Sequence, residues 1–146
     1  MNFEMIAEQK FENGFNCCQS VLFTFAKQCG ISTNFAIKLG TSFGAGMGRT
    51  QEVCGAVTGA FMVLSMLYGR NEDEDKSKQE VVYAKVQEFT KRFVEKNNSV
   101  RCFELLDKCN LMKDDGQKRF KEENLIIKCN KYIQNSVEIL MDLTKD

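Results

Sequence analysis

The chain has 146 residues, with 20 basic and 20 acidic side chains, seven cysteines and no histidine, proline or tryptophan. This length suits one domain that buries roughly 70% of its unfolded surface, and 43% hydrophobic with 27% charged residues is globular rather than disordered usage. The lack of histidine removes Ser-His and Cys-His catalytic pairs, imidazole zinc ligation and histidine-ligated haem, and a formal net charge of zero leaves no basic excess for nucleic acid.

Without proline, and with apolar positions recurring near the helical period, the chain reads as all-α. A first helix is expected from Phe3 to Glu12, stopping at Gly14. Asn16 is placed to cap a second, which runs to Gly30 and carries the stripe Cys18, Leu22, Phe25 and Cys29. Ser32 or Thr33 starts a short third helix leading into Gly44-Ala45-Gly46-Met47-Gly48. Thr50 is expected to cap a fourth, Gln51 to Tyr68, closed by Gly69. Within it, Val53 to Tyr68 is sixteen residues without a charge, short of the roughly 20 that span a bilayer. Gly55 and Gly59 share one helix face and let another backbone come close. Such a face permits a homodimer seam, but a helix that is apolar all round is expected at the centre of a bundle.

Asn71 to Lys78 reads as a solvated charged loop, Asp73, Glu74 and Asp75 included, rather than a metal site. A long amphipathic helix follows to about Lys96, with Val82, Val86, Phe89 and Phe93 inward. Ser99 caps a short helix through Leu105 and Leu106, leaving Cys109 on the Cys102 face or just past its end. The stretch Asn110 to Gly116 reads as a loop, and a last helix, about Phe120 to Leu143, buries Ile126, Cys129, Ile133, Val137 and Leu140. No repeat or linker divides the chain, so residues 1–146 are expected to form one bundle of six or seven helices around the segment 51–68.

Seven cysteines are about one residue in twenty, below the roughly 8–10% of disulfide-stapled miniproteins. The N-terminal MNFEMIAEQKFENG lacks a basic-then-apolar signal pattern. A cytoplasmic protein is therefore expected, whose thiols serve metal or redox work rather than lasting disulfides. Free cysteine also serves as a small buried hydrophobe. No pair forms C-x-x-C, so a shared site has to be assembled from separate helices. Cys17 follows the Asn16 cap, Cys102 lies three residues after Ser99, and Cys54 four after Thr50. First turns present unpaired N–H groups and the positive end of the helix dipole, so these three thiols are expected to converge on an electropositive pocket and to ionise easily. Cys129, mid-helix on an apolar stripe, reads as core, as do Cys18 and Cys29. The glycine run lacks the strand and Lys-Ser/Thr of a P-loop, and reads as a tight passage before Cys54 rather than a phosphate cradle.

Three segments then carry a resemblance: Gly14-Phe15-Asn16-Cys17-Cys18-Gln19-Ser20-Val21, the run Gly44 to Gly48, and Cys54-Gly55-Ala56-Val57-Thr58-Gly59-Ala60. They are similar to the family named for its C-GCAxxG-C-C pattern, described as redox-active. Ser99-Val100-Arg101-Cys102-Phe103-Glu104-Leu105-Leu106 and Cys129 resemble its later cysteines. The resemblance covers nearly the whole chain, its first two motifs being the specific ones. It implies four functional cysteines in one site: Cys17, Cys54, Cys102 and Cys129. In one respect the chain departs from the pattern, since Cys54 precedes Gly55 where the family's name has glycine before cysteine. Inside a helix that shift turns the thiol by about 100°, whereas a turn before the helix absorbs it.

Two chemistries suit four such thiols. In one, they cycle between dithiol and disulfide, serving an unidentified redox partner protein. In the other, they hold an iron–sulfur cluster or zinc, all-sulfur ligation being the soft option without histidine. Neither nucleic acid nor membrane is expected as a partner. The contrasting reading is a non-catalytic helical partner module of an oxidoreductase, with structural buried cysteines.

Overall fold

Capping residues set several of the helix starts. The side chain of Asn2 accepts from Met5 N–H at 2.8 Å, that of Ser32 from Phe35 N–H at 3.0 Å, and Asn16 forms a reciprocal capping box with Gln19. In the computed structural model, which describes residues 2–145, the elements run α1 (Phe3–Glu12), α2 (Cys17–Phe25), α3 (Thr33–Gly40), a 3-10 turn (Thr41–Phe43), α4 (Gly44–Met47), α5 (Gly55–Tyr68), α6 (Ser77–Asn97), α7 (Cys102–Leu105), α8 (Asp114–Glu122) and α9 (Ile126–Leu143). Among the described residues the β pairing consists of one isolated antiparallel bridge, Val53 with Arg101. The fold is all-α.

Several boundaries differ from the sequence expectation. Among them is the start of α7, where Ser99 Oγ accepts from Arg101 N–H at 3.0 Å instead of capping the helix and Arg101 is its N-cap. Another is the start of α8 at Asp114, inside the stretch expected to be a loop. Regular α2 stops at Phe25, then loosens and closes at Gly30 (φ 72°), where Ile31 N–H reaches Ala26 O and Gly30 N–H reaches Lys27 O, both at 3.1 Å. The expected fourth helix begins at Gly55 instead of Gln51. Thr50 does not cap it, because its hydroxyl donates to Gly46 O and Met47 O at 3.0 and 2.8 Å. The expected last helix is two helices. Asn124 adopts the left-handed conformation (φ 54°) and closes α8, with Leu125 N–H on Phe120 O at 3.0 Å, and α9 starts afresh at Ile126. Ile126, expected in the core, is 47% exposed.

α4 is a single turn of opposite hand. Ala45, Gly46, Met47, Gly48 and Arg49 all have positive φ, and Gly48 N–H and Arg49 N–H close the turn on Gly44 O and Ala45 O at 2.9 and 3.1 Å. Left-handed helix disfavours residues with a Cβ by roughly 1–2 kcal/mol each, so three of these five positions are strained.

α5 is central as expected, packing on α2, α6 and α9. Ala56, Val57, Ala60, Val63 and Leu64 are fully buried, together with Phe89 and Phe93 from α6 and Ile133, Val137 and Leu140 from α9. The Gly55/Gly59 face is taken by α2 of the same chain. A Cβ built at Gly55 lies 2.9 Å from Phe43 O and 3.0 Å from Cys18 N, and one at Gly59 lies 3.2 Å from Cys18 O. Among the described residues no helix is long and apolar enough to cross a membrane.

Gly55→Ala is expected to lower the unfolding free energy in urea by about 1–3 kcal/mol through overpacking against backbone. Gly59→Ala, with more room, should lose less, because alanine recovers roughly 0.5–1 kcal/mol of helix propensity. Equal effects of the two would show that the α2–α5 contact yields at Gly55.

Candidate functional site

All four cysteines implied by the resemblance lie at helix N-termini. Cys17 is the first residue of α2, Cys102 the first of α7, and Cys54 is the N-cap of α5 with extended backbone (φ −52°, ψ 135°). Because Cys54 stands before the helix, the Cys-Gly order does not rotate it around α5. Cys129 is the fourth residue of α9, in its first turn, and not mid-helix; the break at Asn124 puts it there. The four thiols line one cavity of about 390 Å³.

Backbone contacts bring them together. The bridge at Val53 and Arg101 sets Cys54 N–H on Val100 O at 2.8 Å and Cys102 N–H on Glu52 O at 2.7 Å, so Cys54 and Cys102 leave it side by side. A Cβ at Gly46 would sit 2.5 Å from Cys102 Cβ, so glycine alone lets the left-handed turn press on that residue. Gly55 does the same for Cys17, whose Cβ lies 3.2 Å from where a Gly55 Cβ would be. α9 is pinned over the cavity by Tyr132 O–H donating to Leu105 O at 2.6 Å and Ser136 O–H donating to Ala56 O at 2.8 Å. That placement brings Cys17 and Cys129 within reach of each other's proton.

Burial overturns the expectation that first-turn thiols ionise easily. Cys54 is pushed up to about 12 by burial, although Ala56 N–H and Val57 N–H at the start of α5 pull the other way. Burial raises Cys102 to about 12 as well, its neighbour Cys54 adding to this while Gln51 opposes it. Cys17 is held well above the ordinary thiol value by its hydrogen bond to Cys129 and by burial. Cys129 goes the other way: the Cys17 S–H, joined by its own backbone N–H, lowers it against the pull of burial. The thiol that the sequence reading assigned to the core is the one best placed to be a thiolate.

The donor set does not fit a single metal ion such as zinc. Among the described residues no group of three or more cysteine or carboxylate side chains is gathered closely enough to hold a metal ion, the four cavity thiols included. Cys18 is fully buried and Cys29 partly so, and burial lifts them to about 12 and about 11. Cys109 lies past the end of α7 and donates to Gly116 O at 3.0 Å. In the acidic run, Glu74 pairs with Lys78 and Asp75 accepts from Ser77 N–H at 2.7 Å.

Gln51 is a site residue that sequence reasoning missed, having been placed on the first turn of a helix. It is 3% exposed with φ 59°. Its Nε2 donates to Cys109 O at 2.7 Å and to Cys102 Sγ at 3.9 Å, and its Oε1 accepts from Leu111 N–H at 2.8 Å. No periodicity marks it; only its place just after the glycine run hinted that the chain there is not helical.

No curated protein and no solved structure gives a significant match to this chain. A family model described as "Putative redox-active protein (C_GCAxxG_C_C)" matches residues 15–143, from the α2 cap to the end of α9. That span holds all four cavity thiols, the left-handed turn and Gln51, and the chain belongs to this redox-active cysteine family.

Proposed function

We propose that Cys17 and Cys129 are a reversible dithiol that exchanges with disulfides in the cavity. The observation that carries this reading is that both thiols line one cavity and act on each other, Cys17 held up and Cys129 lowered. Such a pair supplies an attacking thiolate beside a protonated thiol. Cys129 attacks one sulfur of a substrate disulfide, forming a mixed disulfide and releasing one thiolate. Cys17 then gives up its proton and attacks Cys129 Sγ, which closes the protein disulfide and releases the second thiol. Two protein thiols and one substrate disulfide become one protein disulfide and two substrate thiols. Cys54 and Cys102 stay protonated at neutral pH and form the wall beside the pair.

With one equivalent of diamide, native protein is expected to lose two hydrogens and to yield a Cys17–Cys129 cross-linked peptide on mass mapping. A different pair would move the chemistry elsewhere in the cavity. Thiols inert until unfolding would instead favour the structural-cysteine module, in which burial alone explains Cys18, Cys54, Cys102 and Cys109.

The pH dependence of alkylation gives a second check. A lowered Cys129 keeps its thiolate to lower pH than a free thiol, so its rate with iodoacetamide should rise through a midpoint below that of an ordinary cysteine. Cys17→Ala removes the S–H donor, moves the midpoint up, and slows the reaction at pH 7 by roughly fivefold, the equivalent of a hydrogen bond of about 1 kcal/mol. An unchanged midpoint would separate the two sulfurs.

A further inference from the structure

The cavity wall selects for more than a reactive sulfur. Among the described residues no carboxylate lines it, and much of it is apolar, including Phe11, Phe15, Phe120 and Tyr132. The N-termini of α2, α5 and α9, with 9, 14 and 18 residues, are at its edge and lend it a positive potential. Among the described residues its one cationic side chain is Arg49.

Arg49 differs from the chain's other arginines. Arg70 donates to Glu74 O at 3.1 Å, Arg92 pairs with Glu88 at 2.7 Å, Arg101 with Glu52 at 3.7 Å and Arg119 with Glu123 at 2.9 Å. The Arg49 guanidinium has no such partner among the described residues, although it lines the cavity and is exposed to solvent. Its backbone is held at φ 71° on the left-handed turn, a conformation in which a side chain is strained. An unpaired planar cation at the entrance of an apolar cavity suits bidentate capture of a carboxylate or similar anion.

Resting on the dithiol reading above, we infer that the exchanging substrate is a small disulfide with an apolar or aromatic body and an anionic group, the anion held by Arg49 while the body fills the cavity. At about 390 Å³ the space suits a small molecule. Arg49 is a specificity-determining residue, and the exchange follows the balanced steps given for Cys129 and Cys17, the leaving thiol carrying the anionic group.

Two aromatic disulfides test this: dithiobis(nitrobenzoate), with a carboxylate on each ring, and neutral dithiodipyridine. Second-order rates are read from the released thiol by stopped flow on native protein at low salt. The ratio of the anionic to the neutral probe's rate is expected to fall about tenfold in Arg49→Gln, the scale of a local steering charge. Arg49→Lys, which keeps the charge, should recover part of that ratio, and high salt should lower it in the wild type. A ratio unchanged by Arg49→Gln, with both probes still reacting, overturns the Arg49 assignment and leaves the dithiol in place. Failure of both probes to react with folded wild-type protein overturns the dithiol itself.

Discussion

Gly55 lies so close to the first turn of α2 that a Cβ there would be 2.9 Å from Phe43 O and 3.0 Å from Cys18 N. Two helix N-termini therefore meet with no side chain between them, which sets Cys17 beside Cys54. α5 begins at this contact, with Cys54 before it in extended backbone. The preceding segment pairs with Val100 to Cys102 and brings the third thiol in. Ser136 then fixes α9 on this first turn, at the buried Ala56 O, and the fourth thiol joins the other three in lining the cavity.

With four thiols at four helix starts, their acidity is decided by which effect is larger. A helix N-terminus contributes typically 0.3–1 kcal/mol and up to about 2 in partly buried geometry, whereas one pKa unit corresponds to about 1.4 kcal/mol. Full burial shifts an ionisable group by as much as roughly 3–5 units. Burial therefore wins at Cys54 even with two N–H groups aimed at its sulfur. Cys129 escapes because a thiol of the protein, rather than helix N–H groups alone, donates to it. Convergence of the cysteines matters for that reason: each removes water from the others, and one pair compensates by sharing a proton.

The sequence disclosed the helices through their caps and stripes, and Gly55 with Gly59 as a face for close backbone approach. The four cysteines that line the cavity were also marked in it, three by their expected place just after helix caps and the fourth by the resemblance alone, although neither Thr50 nor Ser99 caps its helix. What it hid was non-local. Cys129 looked like core because Asn124, a residue that tolerates left-handed backbone, was not taken as a helix stop. Asn at such a position is a readable signal. Gln51 carried only its place just after the glycine run, because a glutamine before an apolar run fits a helix start equally well. The pairing of Cys17 with Cys129 was beyond reach, since it depends on how α9 docks through Tyr132 and Ser136.

The left-handed turn explains why the glycine run is not all glycine. A flexible loop of glycines would span Phe43 to Cys54 without strain, yet Ala45, Met47 and Arg49 hold positive φ, each at a disadvantage of roughly 1–2 kcal/mol. Such strain persists only where surrounding contacts over-determine the backbone. Here they are Thr50 O–H on Gly46 O and Met47 O, Glu52 N–H on Gly46 O at 2.9 Å, and the buried amide of Gln51. A right-handed turn would have run on into α5, carrying Thr50 to Val53 around the helix and abolishing the bridge that delivers Cys102. Reversed hand instead turns Gly46 onto Cys102, drives Gln51 inward to hold that sulfur, and leaves Arg49 at the cavity edge. The strain thus lies where a relaxed backbone would lose the third thiol and the cavity's cationic side chain.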